Sequence, residues 1–270
     1  MNGAKKTIKI AAICLGIFII VNIFTACFYG LSFLTDLDMD FKSEEKTKDF
    51  EEVYQNIQEI DIDAIASNIT IESGNEFRVE ANNVGQSFSS KVKNKTLKIE
   101  EKGNFLSKNN WKGEITITVP KGIVLEDLSI DTGAGKFKIN DIQANKFDID
   151  HGAGILEITN SKFMKADIDG GAGEINITSS ILNNLDMDAG IGKIQIESSI
   201  TGNSEIDCGV GEVDITLLGS KEDYTIRTEK GIGSININGE SQSNQSTYGS
   251  GINHLKLEGG VGSINISFEK

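Results

Sequence analysis

The sequence predicts an all-β fold: a parallel β-solenoid (β-helix) with about 19 residues per coil, preceded by one N-terminal transmembrane helix. Three observations carry this reading. A Gly-x-Gly triplet recurs at a step of 19 residues. Each triplet opens a strict alternation of apolar and polar residues. A run of 26 residues near the N-terminus holds no charge.

That run extends from Ile10 to Thr35 and exceeds the roughly 20 residues needed to cross a hydrocarbon core. Lys5, Lys6 and Lys9 precede it, and Asp36, Asp38 and Asp40 follow it. The basic flank stays inside, so residues 1–9 form a cytoplasmic tail, 10–35 the membrane helix, and 36–270 lie outside. Two other readings exist. A cleaved signal peptide has an apolar region of only about 7–15 residues, and no A-x-A site follows here. Thr25-Ala26-Cys27 has the small residues that precede a lipidated cysteine, but Phe28–Leu34 stays apolar where a lipoprotein begins a polar tether. Both alternatives also export the remainder. Residues 36–56 are dense in charge and lack a β pattern; they are expected to form a solvated stalk, with a short helix around Glu44–Gln55.

From residue 57 to 270 the sequence predicts one solenoid ectodomain, with regular coils over 133–270. The paired corner glycines are Gly133 and Gly135, Gly152 and Gly154, Gly171 and Gly173, Gly190 and Gly192, and Gly209 and Gly211. Gly231 and Gly233, then Gly260 and Gly262, follow after steps of 22 and 29. Four residues past each first glycine stand Phe137, Leu156, Ile175, Ile194, Val213, Ile235 and Ile264. Six residues past it stands isoleucine every time, from Ile139 to Ile266. Three residues before it stand Ile130, Ile149, Ile168, Met187, Ile206, Thr228 and Leu257. A period of two is a half-buried strand. Two short strands around a glycine corner cannot bury their apolar side alone, so each is expected to pair with its copy in the next coil. Glycine suits a corner that needs positive φ or close backbone approach. Residues 57–132 carry looser versions of the pattern and are read as irregular N-terminal coils and a cap.

Composition excludes several classes. The ectodomain holds 23 Lys/Arg against 40 Asp/Glu, a net charge of −17. Nucleic acid demands the opposite sign, and so does docking flat on anionic lipid. Cys14 and Cys27 lie in the apolar run, leaving Cys208 alone in the ectodomain as a small filler residue with no disulfide framework. No nucleophile elbow, Cys/His pair or phosphate loop is present, and the glycine corners precede strands, so no catalytic residue and no cofactor are expected. His151 and His254 have no partners at metal-ligand spacing and are expected to be exposed polar residues.

Repeats such as Asp169-Gly170-Gly171-Ala172-Gly173-Glu174-Ile175-Asn176-Ile177 resemble a bacterial family of membrane-anchored β-strand-repeat proteins of unknown function, catalogued as candidate adhesins. The resemblance spans about residues 55–270 and implies the fold, one N-terminal membrane helix, and no catalytic residues. Some members occur among envelope-stress genes. Calcium-binding nonapeptide repeats are different, because Ile175 stands where their Asp ligand belongs.

One column carries charge at every corner: Asp131, Asp150, Asp169, Asp188, Asp207, Glu229 and Glu258, two residues before each first glycine. Two readings compete. Each carboxylate caps its corner by accepting a backbone N–H, as Asp does in turns. Alternatively Asp150, Asp169, Asp188 and Asp207 share hard cations such as Ca²⁺. Capping is the expectation, and metal is not. Three segments break the period: Lys102–Gly113, whose Phe105, Leu106 and Trp111 are expected either to cover the core end or to contact a partner, Leu217–Tyr224, and Gly239–Asn253. The expected function is a non-catalytic, adhesin-like interaction module touching cell wall, glycan or protein. The alternatives are an accessory protein of envelope-stress sensing and, from another class, a polysaccharide-acting β-helix enzyme, which the acidic face disfavours.

Overall fold

A computed structural model describes residues 47–102 and 113–269. The tail, the membrane helix, residues 36–46 of the stalk, and Phe105, Leu106 and Trp111 lie outside the described residues. Among the described residues no helix is long and apolar enough to cross a membrane. The chain runs through β1 (Thr47–Tyr54), β2 (Glu59–Ala64), β3 (Asn68–Gly74), β4 (Phe77–Gly85), β5 (Ser89–Lys93), β6 (Thr96–Glu100) and β7 (Glu114–Pro120). It continues through the long strands β8 (Val124–Asn140), β9 (Gln143–Thr159), β10 (Lys162–Asn183), β11 (Leu185–Thr201) and β12 (Asn203–Leu218). After a 3-10 turn at Lys221–Asp223 come β13 (Tyr224–Ile237), β14 (Glu240–Ser241), β15 (Gln245–Gly249) and β16 (Asn253–Glu269). All sixteen belong to one sheet, and the sheet is not closed.

The expected alternation is the observed core. All three apolar columns are buried, from Ile130 to Leu257, Phe137 to Ile264 and Ile139 to Ile266. Phe147 and Phe163, one coil apart, stack inside with ring centroids 4.3 Å apart. Neighbouring coils pair in parallel with corresponding residues opposite each other, as in Ile175↔Ile194 and Ile177↔Ile196. Each coil therefore repeats its neighbour's side-chain layout about 4.8 Å away.

Each long strand carries its own corner, and both glycines are required there. A Cβ on Gly173 would lie within 3.0 Å of backbone atoms of Gly154, and one on Gly171 within 3.0 Å of the Gly152 carbonyl oxygen. Gly173 also has φ +148°, which L side chains rarely adopt. The second glycines at the two extremes of the series differ in fit. A Cβ on Gly233 would lie within 3.0 Å of the Gly262 backbone, whereas one on Gly135, which rests on the glycine-free corner of the β2–β3 coil, would lie 3.0 Å from the Ser67 carbonyl oxygen. At a further turn of the coil a serine ladder closes the backbone. The Ser161 hydroxyl accepts from Ile142 N–H (3.2 Å) and donates to the Thr159 carbonyl (2.8 Å). Ser180 repeats the arrangement on Ser161 N–H and the Thr178 carbonyl, and Ser198 continues it. Each buried hydroxyl thus satisfies a donor in one coil and an acceptor in another.

Three expectations are corrected. Residues 47–54, assigned to the stalk with a short helix, are strand β1, antiparallel to β4. The free edge of β4 overrides the local preference: Phe50 packs on Phe88 (5.3 Å), and the Tyr54 hydroxyl donates to Ser90 (2.8 Å). The Lys/Glu content read as helical suits an exposed edge strand equally well. Second, Gly239–Asn253 is not a plain loop; it supplies β14 and β15, which pair antiparallel with the outer edge of β13. Third, the coils do not stack in chain order throughout. The last strand, β16, lies between β12 and β13. At the other end the β2–β3 coil lies between the β6–β7 coil and β8. The stack runs β6–β7, β2–β3, β8, β9, β10, β11, β12, β16, β13, nine coils among the described residues. Its two ends are closed by antiparallel β5, β4 and β1, and by β14 and β15. The extra residues around Lys221–Asp223 let the chain climb two coil spacings before β13, and the hairpin brings it back. β16 is then paired on both edges, which removes a long free edge.

Candidate functional site on the acidic face

The strand leading into each corner turns three residues outward, and register aligns these into three rows along the stack. The row nearest the corner reads Glu100, Asp63, Asp131, Asp150, Asp169, Asp188, Asp207, Glu258, Glu229 in stacking order. The middle row reads Lys98, Asp61, Ser129, Asp148, Asp167, Asp186, Glu205, Lys256, Arg227. The outer row runs Lys146, Lys165, Asn184, Asn203, His254, Thr225 over the last six coils. A column legible in the sequence has become a wall of carboxylates about 4.8 Å apart.

The capping reading fails. Among the described residues, none of the carboxylates from Asp131 to Glu258 accepts a hydrogen bond from a backbone N–H. The strand continues through each corner, so the ladder to adjacent coils already uses the backbone groups. A carboxylate does cap the glycine-free corner of the β2–β3 coil: buried Glu101 accepts from the Ser67 N–H (3.3 Å), the Ala66 N–H (3.4 Å) and the Ser67 hydroxyl. From Asp131 to Asp207 the corner carboxylates therefore repel one another without a compensating bond, whereas Glu258 pairs with Lys256 and Glu229 accepts from the Gln245 amide (3.2 Å). Burial, followed by the neighbouring carboxylates, raises the pKa of Asp131 (Asp150 and Asp63 beside it), Asp169 and Asp207.

Asp150, Asp169, Asp188 and Asp207 line one open groove of about 420 Å³ beside Gly171, Gly190 and Gly209. The corner glycines nearer the ends of the stack, Gly133 and Gly135, Gly231 and Gly233, do not line it, and their role is confined to the backbone. Farther along, Glu205, Asp207 and Glu258 bring one oxygen each within 4.8 Å of the others. The Lys256 ammonium pairs with both Glu205 and Glu258 there, so a fixed internal cation already supplies the counter-charge.

His151, expected to be exposed, is 3% exposed, and neither ring nitrogen has a hydrogen-bond partner. It belongs to an inward corner column that continues through Gly170, Ala189 and buried Cys208. A cavity of about 20 Å³ lies beside it, enough for one water. Desolvation lowers its pKa, opposed by Asp150. The residue before the first glycine looks like a turn position, and only the continuous strand through the corner turns it inward. The middle residues of the triplets face out instead; Ile191 (49% exposed), Val210 and Ile232 form an apolar ridge on the corner.

The chain belongs to the Toastrack DUF4097 family, whose model matches residues 57–255. No curated protein matches it. Solved structures to which it is similar include a candidate cell adhesion protein from Clostridium sporogenes, 23% identical, covering 83% of this chain and 100% of that one, with a TM-score of 0.37. A candidate adhesin from Bacteroides fragilis is 15% identical, covering 83% and 98%, with a TM-score of 0.43. A candidate lipid-binding protein from Parabacteroides distasonis is 16% identical, covering 84% and 98%, with a TM-score of 0.36.

Proposed function

We propose that this protein is a non-catalytic, adhesin-like interaction module, held at the membrane by residues 10–35 and presenting its acidic face outside the cytoplasm. One observation carries the reading. The corner carboxylates cap nothing, and several have raised pKa values, so the fold bears their repulsion without structural return. A rigid, repetitive wall of such groups suits a partner surface of opposite charge in the cell wall or on another protein. The basic flank at Lys5, Lys6 and Lys9 supports an inside N-terminus. Protease added to wall-stripped cells is expected to digest the ectodomain.

Crosslinking in intact cells tests the reading. The fourfold variant Asp150→Asn, Asp169→Asn, Asp188→Asn, Asp207→Asn should lose the crosslinked partner while its melting temperature holds or rises, because repulsion has been removed. An unchanged set of crosslinked partners would overturn the assignment of recognition to this face.

A further inference from the structure

The outer row of the acidic face departs from its neighbours. Over six consecutive coils it holds Lys146, Lys165, Asn184, Asn203, His254 and Thr225, with no carboxylate. Over the first five of those coils the middle row beside it holds Asp148, Asp167, Asp186, Glu205 and Lys256. Two residues along a strand separate the rows, about 7 Å. A row of donors thus runs along the stack parallel to a row of carboxylates that gives way to Lys256 and Arg227 over the last two coils. Between them, from β10 to β13, lies a groove of about 550 Å³ floored by Leu185, Ser204 and Leu255. That volume falls within the range of small-ligand sites.

The polar groups along it are only partly used. Asn184 is committed to the Asn203 N–H (3.2 Å) and the Met164 carbonyl (3.4 Å), buried Thr225 to the Gly251 carbonyl (2.8 Å), and Lys256 to Glu205 and Glu258. The side chains of Lys165, Asn203, His254 and Arg227 are exposed and make no hydrogen bond or ion pair among the described residues.

We propose that this groove binds an uncharged, hydroxyl-rich saccharide chain lying along the stack axis. The inference rests on the interaction-module reading and adds a second partner class, in a groove beside the corner row that is proposed to meet an oppositely charged surface. A sugar hydroxyl donates and accepts at once, so a saccharide uses both rows: it donates to Asp186 and Glu205 and accepts from Lys165, Asn203 and His254. A polyanion would meet Asp186 and Glu205 with repulsion, and a polycation would meet Lys165, Arg227 and Lys256. The repeat of the groups, about 4.8 Å from coil to coil, suits a polymer with a repeating unit better than a compact ligand.

The test is calorimetric titration of the full chain in detergent with cellotetraose, chitotetraose and an oligogalacturonate of the same length. A neutral tetramer should bind, and the anionic one should bind at least tenfold more weakly. Asn203→Asp and Lys165→Glu, each placing a carboxylate in the donor row at an exposed position, should each weaken the neutral tetramer about tenfold. Gln195→Glu, on the strand beyond the corner, should not. No neutral binding at millimolar concentration, tighter binding of the galacturonate, or affinity indifferent to both row variants would overturn the proposal. The fourfold corner variant separates it from the broader reading: partner capture lost there while the saccharide result is negative removes only this groove.

Discussion

The five middle coils and the two ends of the stack are built from the same repeat but obey different rules. From β8 to β12 each coil pairs with its successor in the chain. At either end the terminal coil is tucked one place inside, β2–β3 beneath β6–β7 and β16 beneath β13. The difference teaches that in-coil geometry and stacking order have separate causes. Inward columns and glycine corners fix how one coil fits any other. The length of the link between coils decides which other it meets.

The exchanged order can be broken outright. In a background without the three native cysteines, Asp214→Cys with Asn265→Cys joins register partners whose native side chains are hydrogen-bonded at 2.9 Å. Asp214→Cys with Asn236→Cys joins residues two coils apart. Oxidation to the disulfide should link the first pair nearly completely and the second hardly at all, read by peptide mass spectrometry. The reverse pattern would restore chain-order stacking.

Corner glycines sharpen the contrast between coil and link. Gly173→Ala forces a Cβ into a neighbouring coil's backbone at φ +148°; a loss of about 3 kcal/mol or more in urea denaturation is expected. Gly122→Ala, in the link before β8, has φ +77° but open space around it, and should cost about 1 kcal/mol. Equal losses would mean that stacking does not constrain the corner.

The smallest effect concerns His151, whose pKa is lowered in the folded chain. A depressed histidine contributes stability above its unfolded pKa, about 6.5, and that contribution is lost as pH falls below this value. Asp131, Asp169 and Asp207 act oppositely, because their raised pKa values favour the folded state as pH falls further. His151→Thr, matching buried Thr132 in the preceding coil, leaves the carboxylates in place. The difference in urea midpoint between wild type and variant should shrink from pH 7.5 to pH 5.5, with the wild type losing more. A pH-independent difference would show that His151 acts only by its shape.

Much of this was legible in the sequence because the period is strong. Ile177, Ile196 and their column occupy the core as the alternation required, and every paired glycine marks a corner. What escaped notice was set by tertiary pairing. The stretch Thr47–Tyr54 carries too much charge to declare itself a strand until β4 offers an edge. His151 and the corner aspartates sit at turn-like positions, and only a strand that continues through the corner turns one inward and leaves the others without a donor. Ser161, Ser180 and Ser198 could have been found as a serine recurring at almost the coil period. The donor row was hidden because Asn203 and His254 are 51 residues apart in sequence and adjacent only through the exchanged order of the last coils.

The tucked final coil has a mechanical consequence. A strand at the end of a stack can be peeled away one hydrogen bond at a time, but β16 is held by a parallel ladder on each side. Tension applied along it loads both ladders in shear, so many bonds must fail together. The opposite end begins with β1, an antiparallel edge strand held on one side only. A pull transmitted between the two ends should therefore unzip the chain from β1, leaving the corner face intact until the cap has gone.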